Sequence, residues 1–134
     1  MKVDGSCLCG VVTYQADVDE QAVTICNCTD CQTHSGSAFR VTVRTEENSF
    51  QLLSGELKVF VKIAHSGNKR ALAFCPVCGT PIYSKSADAK FGFFGLRVGP
   101  LRQRGSLIPS TQIWGRSAQS WTDKISEIQK FDAE

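Results

Sequence analysis

The sequence predicts a mainly β domain with short helical turns, and three observations carry that prediction. Leu57, Val59, Val61 and Ile63 alternate with Lys58, Phe60 and Lys62, a period of two. The strand-like runs are short, and Gly55, Gly67-Asn68, Gly99-Pro100, Gly105 and Pro109 punctuate the intervals between them. Only two short stretches read as helical.

Taken in order, residues 10–15 (GVVTYQ) are rich in strand formers, and 22–25 (AVTI) lead into a cysteine group. Phe39, Val41 and Val43 alternate with Arg40, Thr42 and Arg44 before the 57–63 strand, whose Lys58 and Lys62 are expected to project into solvent. Residues 71–74 run into another cysteine group and 82–84 leave it; 91–98 and 111–114 are further short strands. Helical turns are expected at 30–35 and 122–130, the latter with Thr122 as cap and Ile125 and Ile128 three apart. No internal repeat or low-complexity segment interrupts the pattern.

The chain has 134 residues, which suits one domain over 1–134. Hydrophobic residues at 42% and charged residues at 21% are a globular composition and exclude a disordered chain. No apolar run approaches the roughly 20 residues that cross a bilayer, and the first residues, MKVDGS, lack the apolar core of an export signal. A cytoplasmic protein without a membrane partner is expected.

The unusual quantity is seven cysteines, every one in a close-spaced group. Cys7 and Cys9 form C-x-C; Cys26, Cys28 and Cys31 form C-x-C-x-x-C; Cys75 and Cys78 form C-P-x-C-G. A disulfide scaffold fits badly, because the number is odd and a C-x-C pair is strained as a disulfide. Redox catalysis at C-x-x-C calls for a βαβ setting that this chain lacks. Thiolate metal ligation fits, since close pairs separated by a long loop are its signature. Zinc is the default ion, with an iron–sulfur cluster as the lesser alternative.

Gly10 follows Cys9, Gly79 follows Cys78, and Pro76 pre-sets the turn between Cys75 and Cys78. Those features suit two halves of one zinc knuckle, so Cys7, Cys9, Cys75 and Cys78 would close a tetrahedral structural site. Cys26, Cys28 and Cys31 are then left as three ligands with an open position, the arrangement of catalytic zinc. Two other readings stay open: His34 or Asp30 completes a second structural site, or the trio is a set of free reactive thiols.

These residues resemble the glutathione-dependent formaldehyde-activating enzyme family, also called the centromere protein V type. The resemblance rests on GSCLCG at 5–10, CNCTDC at 26–31, HSGSAF at 34–39 and FCPVCGT at 74–80, and extends to Ile113-Trp114 and Trp121. It implies a tent-like β fold of the Mss4-like group and two zinc ions per chain; three thiolates without a fourth ligand are expected to hold the second more weakly. It implies the same partition: Cys7, Cys9, Cys75 and Cys78 structural, Cys26, Cys28 and Cys31 catalytic. The implied activity is that of a carbon–sulfur lyase, joining formaldehyde to the thiol of glutathione as S-hydroxymethylglutathione. Members of the family often carry His where this chain has Gln112.

Three thiolates leave a zinc site with a net negative charge, which weakens a Lewis acid, so a cationic neighbour would help. Residues 58–116 carry ten Lys or Arg and a single acid, Asp88, although the whole chain is only +2. The stretch could receive the carboxylates of glutathione or a similar thiol, or it could be a solvated face. The small overall charge argues against nucleic acid as partner. His34 is read as general base, zinc-site support or an idle helix-end residue. His65 reads as a loop residue, and Ser35, Gly36 and Ser37 as small neighbours of the trio. Phe91, Phe93 and Phe94 are expected to pack in the core, Trp114 and Trp121 in core or rim. The rival function is a non-enzymatic, zinc-stabilised binding module for a protein or a nucleic acid.

Overall fold

The computed structural model describes residues 1–89 and 92–134. In chain order its elements are β1 (Lys2–Ser6), β2 (Thr13–Cys26), α1 (Thr29–Ser35), β3 (Arg40–Thr45), β4 (Gln51–Ser54), β5 (Lys58–Ile63), β6 (Lys69–Phe74), β7 (Pro81–Ser86), β8 (Gly95–Arg97) and β9 (Thr111–Ile113). Short 3-10 turns follow at Arg104–Ser106, Gly115–Ser117 and Ser120–Glu127. The mainly β expectation holds, and among the described residues no helix is long and apolar enough to cross a membrane.

The strands join as one sheet in the order β1-β2-β3-β8-β7-β6-β5, with β4 and β9 also pairing β2. Neighbours are antiparallel except β2 and β9, which run parallel. Residues 10–15 and 22–25 do not make separate strands: β2 is one strand of 14 residues, with a register shift between Val18 and Val23. The shift lets its first half pair β1 and β4 while its second half pairs β3 and β9.

Alternation gives the sheet two faces. Tyr14, Ala16, Val18 and Val23 of β2, Val43 of β3 and Leu96 of β8 lie in the buried core with Val3, Ile82 and Leu101. Each such aliphatic side chain contributes about 1.5–3 kcal/mol by leaving water. On the β3–β8–β7–β6–β5 side of the sheet, the register pairs Thr42 with Arg97, Ser84 with Gly95, Leu72 with Ser84 and Lys62 with Arg70. That opposite face is polar and cationic, and it carries the cavities described below.

Four expectations need correction. Lys62 does not project into solvent: its Nζ lies 2.8 Å from Asp30 Oδ2 and the side chain is largely covered. Lys58 does remain exposed. The period of two identified β5, but Val59, Phe60, Val61 and Ile63 are all exposed, because β5 ends the sheet with no layer over it. Thr122 is not a cap; its hydroxyl donates to Gln119 O (2.7 Å), the turn spans Ser120–Glu127, and Ile125 and Ile128 are exposed. In the 91–98 stretch only Gly95–Arg97 is strand, and Phe91 lies outside the described residues. Phe94 packs with Phe50 and Tyr83, whereas Phe93 is exposed under the Arg44 guanidinium.

Candidate metal centres and the adjoining cavity

The cysteines assemble as two groups. The ligand atoms of Cys7, Cys9, Cys75 and Cys78 all lie within 4.8 Å of one another, and so do those of Cys26, Cys28 and Cys31. His34 and Asp30 join neither group.

The group of four is built from two matching turns. Gly10 N–H donates to Cys7 O (3.0 Å) and Gly79 N–H to Cys75 O (2.9 Å), with Gly10 at φ 80° and Gly79 at φ 76°. That left-handed conformation is disfavoured for residues with a Cβ. Backbone amides aim at the sulfurs: Val12 N–H at Cys7 Sγ (3.2 Å) and Val77 N–H at Cys75 Sγ (3.4 Å). Leu8 N–H, donating to Thr80 Oγ1 at 3.0 Å, ties one turn to the other. Cys78, hydrogen-bonded first by the Thr80 hydroxyl and then by backbone amides, is pulled down to about 5, so it is a thiolate at neutral pH.

Four sulfurs around zinc at about 2.3 Å would stand about 3.8 Å apart. Cys7 and Cys9 are 3.5 Å apart and Cys9 and Cys75 3.8 Å, and all four lie within 4.8 Å of one another, so the donor set suits zinc. Cys7 and Cys75 are buried against the core, which links this centre to the fold.

The trio sits where β2 meets α1. Cys26 ends β2 and pairs with Arg40 on one side and Ile113 on the other. Cys28 caps α1, its Sγ accepting from Cys31 N–H at 3.3 Å. A hydrogen bond between Cys26 and Cys31 is the main cause that lowers the first thiol's pKa and raises the second's. Asn27, buried between the ligands, donates to Gln112 Oε1 and Ile113 O, both at 3.2 Å. Gln112 therefore braces the trio through Asn27.

Gln32 carries that bracing outward. Its Nε2 donates to Asn27 O (2.8 Å) and Ser117 O (2.9 Å), and its Oε1 accepts from Gln119 Nε2 (2.8 Å). The segment so held presents Trp114 in the left-handed region at φ 56°, a strained conformation for a bulky residue. Trp114 is partly exposed on the cavity rim, edge-on to His65 and under the Arg116 guanidinium. Trp121 is exposed.

A cavity of about 360 Å³ opens onto the trio, with Leu72, Ile113 and Trp114 as its apolar wall and Arg97, Arg70 and Lys62 as its cationic one. Arg40 and Arg97 are buried, and neither Nε has a partner among the described residues. Arg97, desolvated and beside Arg40, is lowered to about 9, yet remains a cation at neutral pH. Burial likewise lowers Arg40, while the three thiols pull it back up. A tris-thiolate metal site fits this setting, because buried cations offset its negative charge.

His34 lies in the last turn of α1 beside Arg40, and Asp30 is paired with Lys62. Neither completes a metal site. Sequence reasoning placed the cysteines but missed Arg40, Arg97, Lys62 and Arg70 as neighbours of the trio. The cationic excess of 58–116 was the one signal that pointed to three of them.

A family model described as glutathione-dependent formaldehyde-activating enzyme matches residues 2–117. The fold is similar to the crystal structure of a Rhodobacter sphaeroides protein, at 15% identity and a TM-score of 0.61, covering 81% of this chain and 98% of that one. No curated protein matches the chain. With the family model spanning most of its length and the two cysteine groups assembled, the chain belongs to the glutathione-dependent formaldehyde-activating enzyme family.

Proposed function

We propose that the protein is a zinc-dependent carbon–sulfur lyase that forms and breaks the adduct of a thiol such as glutathione with a small aldehyde. In this reading Cys7, Cys9, Cys75 and Cys78 hold a structural zinc, and Cys26, Cys28 and Cys31 a catalytic one. The observation that carries it is the trio of half-buried thiols facing a cavity whose charged lining is cationic: Arg97 and Arg70, without carboxylate partners among the described residues, and Lys62, paired with Asp30.

Adduct formation joins the thiol sulfur to the carbonyl carbon, and the proton that leaves sulfur ends on the former carbonyl oxygen. Zinc held by the trio would supply a Lewis acid able to bind a thiolate or a carbonyl oxygen. The chain's own residues do the rest. Arg97 and Arg40 offset the thiolate charge and favour negative charge developing in the cavity. Leu72, Ile113 and Trp114 narrow the approach and reduce water around the reacting carbon. His34 stays neutral because burial, then Arg40, Arg97 and Lys62, lower its pKa. Its Nδ1 orients the Arg40 guanidinium.

The test is the exchange rate between free glutathione and its formaldehyde adduct, followed by NMR at equilibrium. Zinc-loaded protein should speed exchange above the uncatalysed rate, and Cys28→Ser should return it to that rate. Exchange at the uncatalysed rate with the wild-type protein, for glutathione and other thiols alike, would remove this reading.

A further inference from the structure

A smaller cavity, of about 20 Å³, lies beside the trio between α1 and the polar face of the sheet. The helix contributes Asp30, Cys31 and His34 to its lining. The sheet contributes Arg40 of β3, Arg97 of β8 and Leu72 of β6, with Lys62 of β5 at the edge. Such a volume holds one water-sized occupant.

The register sets the two guanidinium side chains beside each other. Thr42 pairs with Arg97, and Arg40 stands two residues before Thr42, so Arg40 and Arg97 leave the same face as diagonal neighbours. Both are more than nine-tenths buried, at 5% and 8% exposure. Among the described residues each makes one hydrogen bond: Arg40 Nη2 donates to His34 Nδ1 at 2.8 Å, and Arg97 Nη1 to Thr42 Oγ1 at 3.3 Å. The two Nε atoms are buried without a partner. A guanidinium carries five N–H donors, so most of those on both residues are unanswered.

The charges around the cavity do not balance either. Its one carboxylate, Asp30, lies 2.8 Å from Lys62 Nζ and answers that cation. His34 accepts from Arg40, so it is neutral and brings no negative charge. Three thiolates around a divalent ion carry a single net negative charge, which answers one guanidinium and leaves the other. Burial of an unanswered charge is costly. Surplus positive charge, open donors and room for one small occupant all suit a monoatomic anion.

We propose that this cavity is a halide site, in which a chloride-sized anion accepts hydrogen bonds from Arg40 and Arg97 beside the trio. The cavity is too small for a thiol substrate or a polyatomic oxyanion. The inference rests on the trio holding a divalent ion, but not on the reaction proposed above. Arg97 also lines the larger cavity, so the anion adjoins the reaction space without entering it.

Bromide, which scatters X-rays anomalously, locates the ion. Crystals of the zinc-loaded protein soaked in sodium bromide should show an anomalous peak between the Arg40 and Arg97 guanidiniums. No peak there, or one on the trio's metal alone, would overturn the inference. In solution, sodium gluconate, too bulky for the cavity, is exchanged for sodium chloride at constant ionic strength while thermal melting is followed. The wild-type midpoint should rise by about 5 °C for each tenfold increase in chloride beyond half-saturation. Arg97→Gln should lose at least half of that rise, and Arg97→Lys, which keeps the charge, less. A midpoint that ignores chloride, or equal rises in wild type and Arg97→Gln, would mean an adventitious ion only and contradict the site. Where Arg97→Gln does not fold, the bromide peak in the wild-type crystal decides. Neither readout depends on adduct exchange, so the halide site can fail while the lyase reading holds, and the reverse.

Discussion

His34 Nδ1 lies 2.8 Å from Arg40 Nη2. A guanidinium only donates, so Nδ1 is the acceptor and the ring proton sits on Nε2. Burial first, and then the charges of Arg40, Arg97 and Lys62, hold the His34 pKa below its ordinary value of 6.5. The unfolded chain therefore takes up a proton at residue 34 before the folded one does. Stability from this residue is fully present above the ordinary value and is lost as pH falls towards the folded one. Denaturant unfolding of the metal-loaded protein between about pH 7.5 and 5.5 should show a steeper loss for wild type than for His34→Gln. Equal slopes would contradict the assigned contact.

Arg40 is buried and faces the trio from the strand paired with Cys26. Its charge favours the thiolate form of Cys31, and thiolates are what zinc binds. Arg40→Met should lower the affinity of the weaker zinc about 10–100-fold, the usual cost of removing a group that supports the ligands. Competition with a chromophoric chelator reads it, while the zinc held by Cys7, Cys9, Cys75 and Cys78 should be unaffected.

The two cysteine groups should differ in what they do for stability. Cys75 is fully buried and joins turns 66 residues apart in sequence, so Cys75→Ser should leave the chain largely unfolded or cost several kcal/mol, read by thermal melting. Cys28 is half-buried and caps α1, a position at which Ser is favoured. Cys28→Ser should change stability by no more than about 1 kcal/mol.

Gly5 and Tyr14 are register partners of β1 and β2, and a Cβ on Gly5 would overlap the Tyr14 ring. Gly5→Ala should cost about 1–3 kcal/mol through overpacking. The Tyr14 hydroxyl is buried without a partner among the described residues, so Tyr14→Phe should be neutral or stabilise by about 1 kcal/mol. Denaturation midpoints of the two variants, moving in opposite directions or the second staying put, check the packing.

What could be read from the sequence was local. Cysteine pairs bring their own turns, marked by Gly10, Pro76 and Gly79, and so both cysteine groups were legible before folding. Short alternating strands were legible for the same reason. The surroundings of the trio were not, because Arg40, Arg70 and Arg97 meet only through the strand order β3-β8-β7-β6, which pairs segments far apart in the chain. β1 and β4 were missed as strands: Gly5 interrupts the first, and β4 is four exposed residues. The fate of β5 was equally hidden, since alternation marks a strand but not whether a layer covers it.

The account turns on one difference: a closed group of four thiolates and an open group of three. Cobalt titrated into the reduced, metal-free protein reports it directly through its sulfur charge-transfer and ligand-field bands. The account predicts two cobalt ions per chain, of which one alone changes its spectrum when a small thiol is added, and Cys28→Ser abolishes that response while keeping the other ion. A single ion, or two that both ignore added thiol, would contradict it.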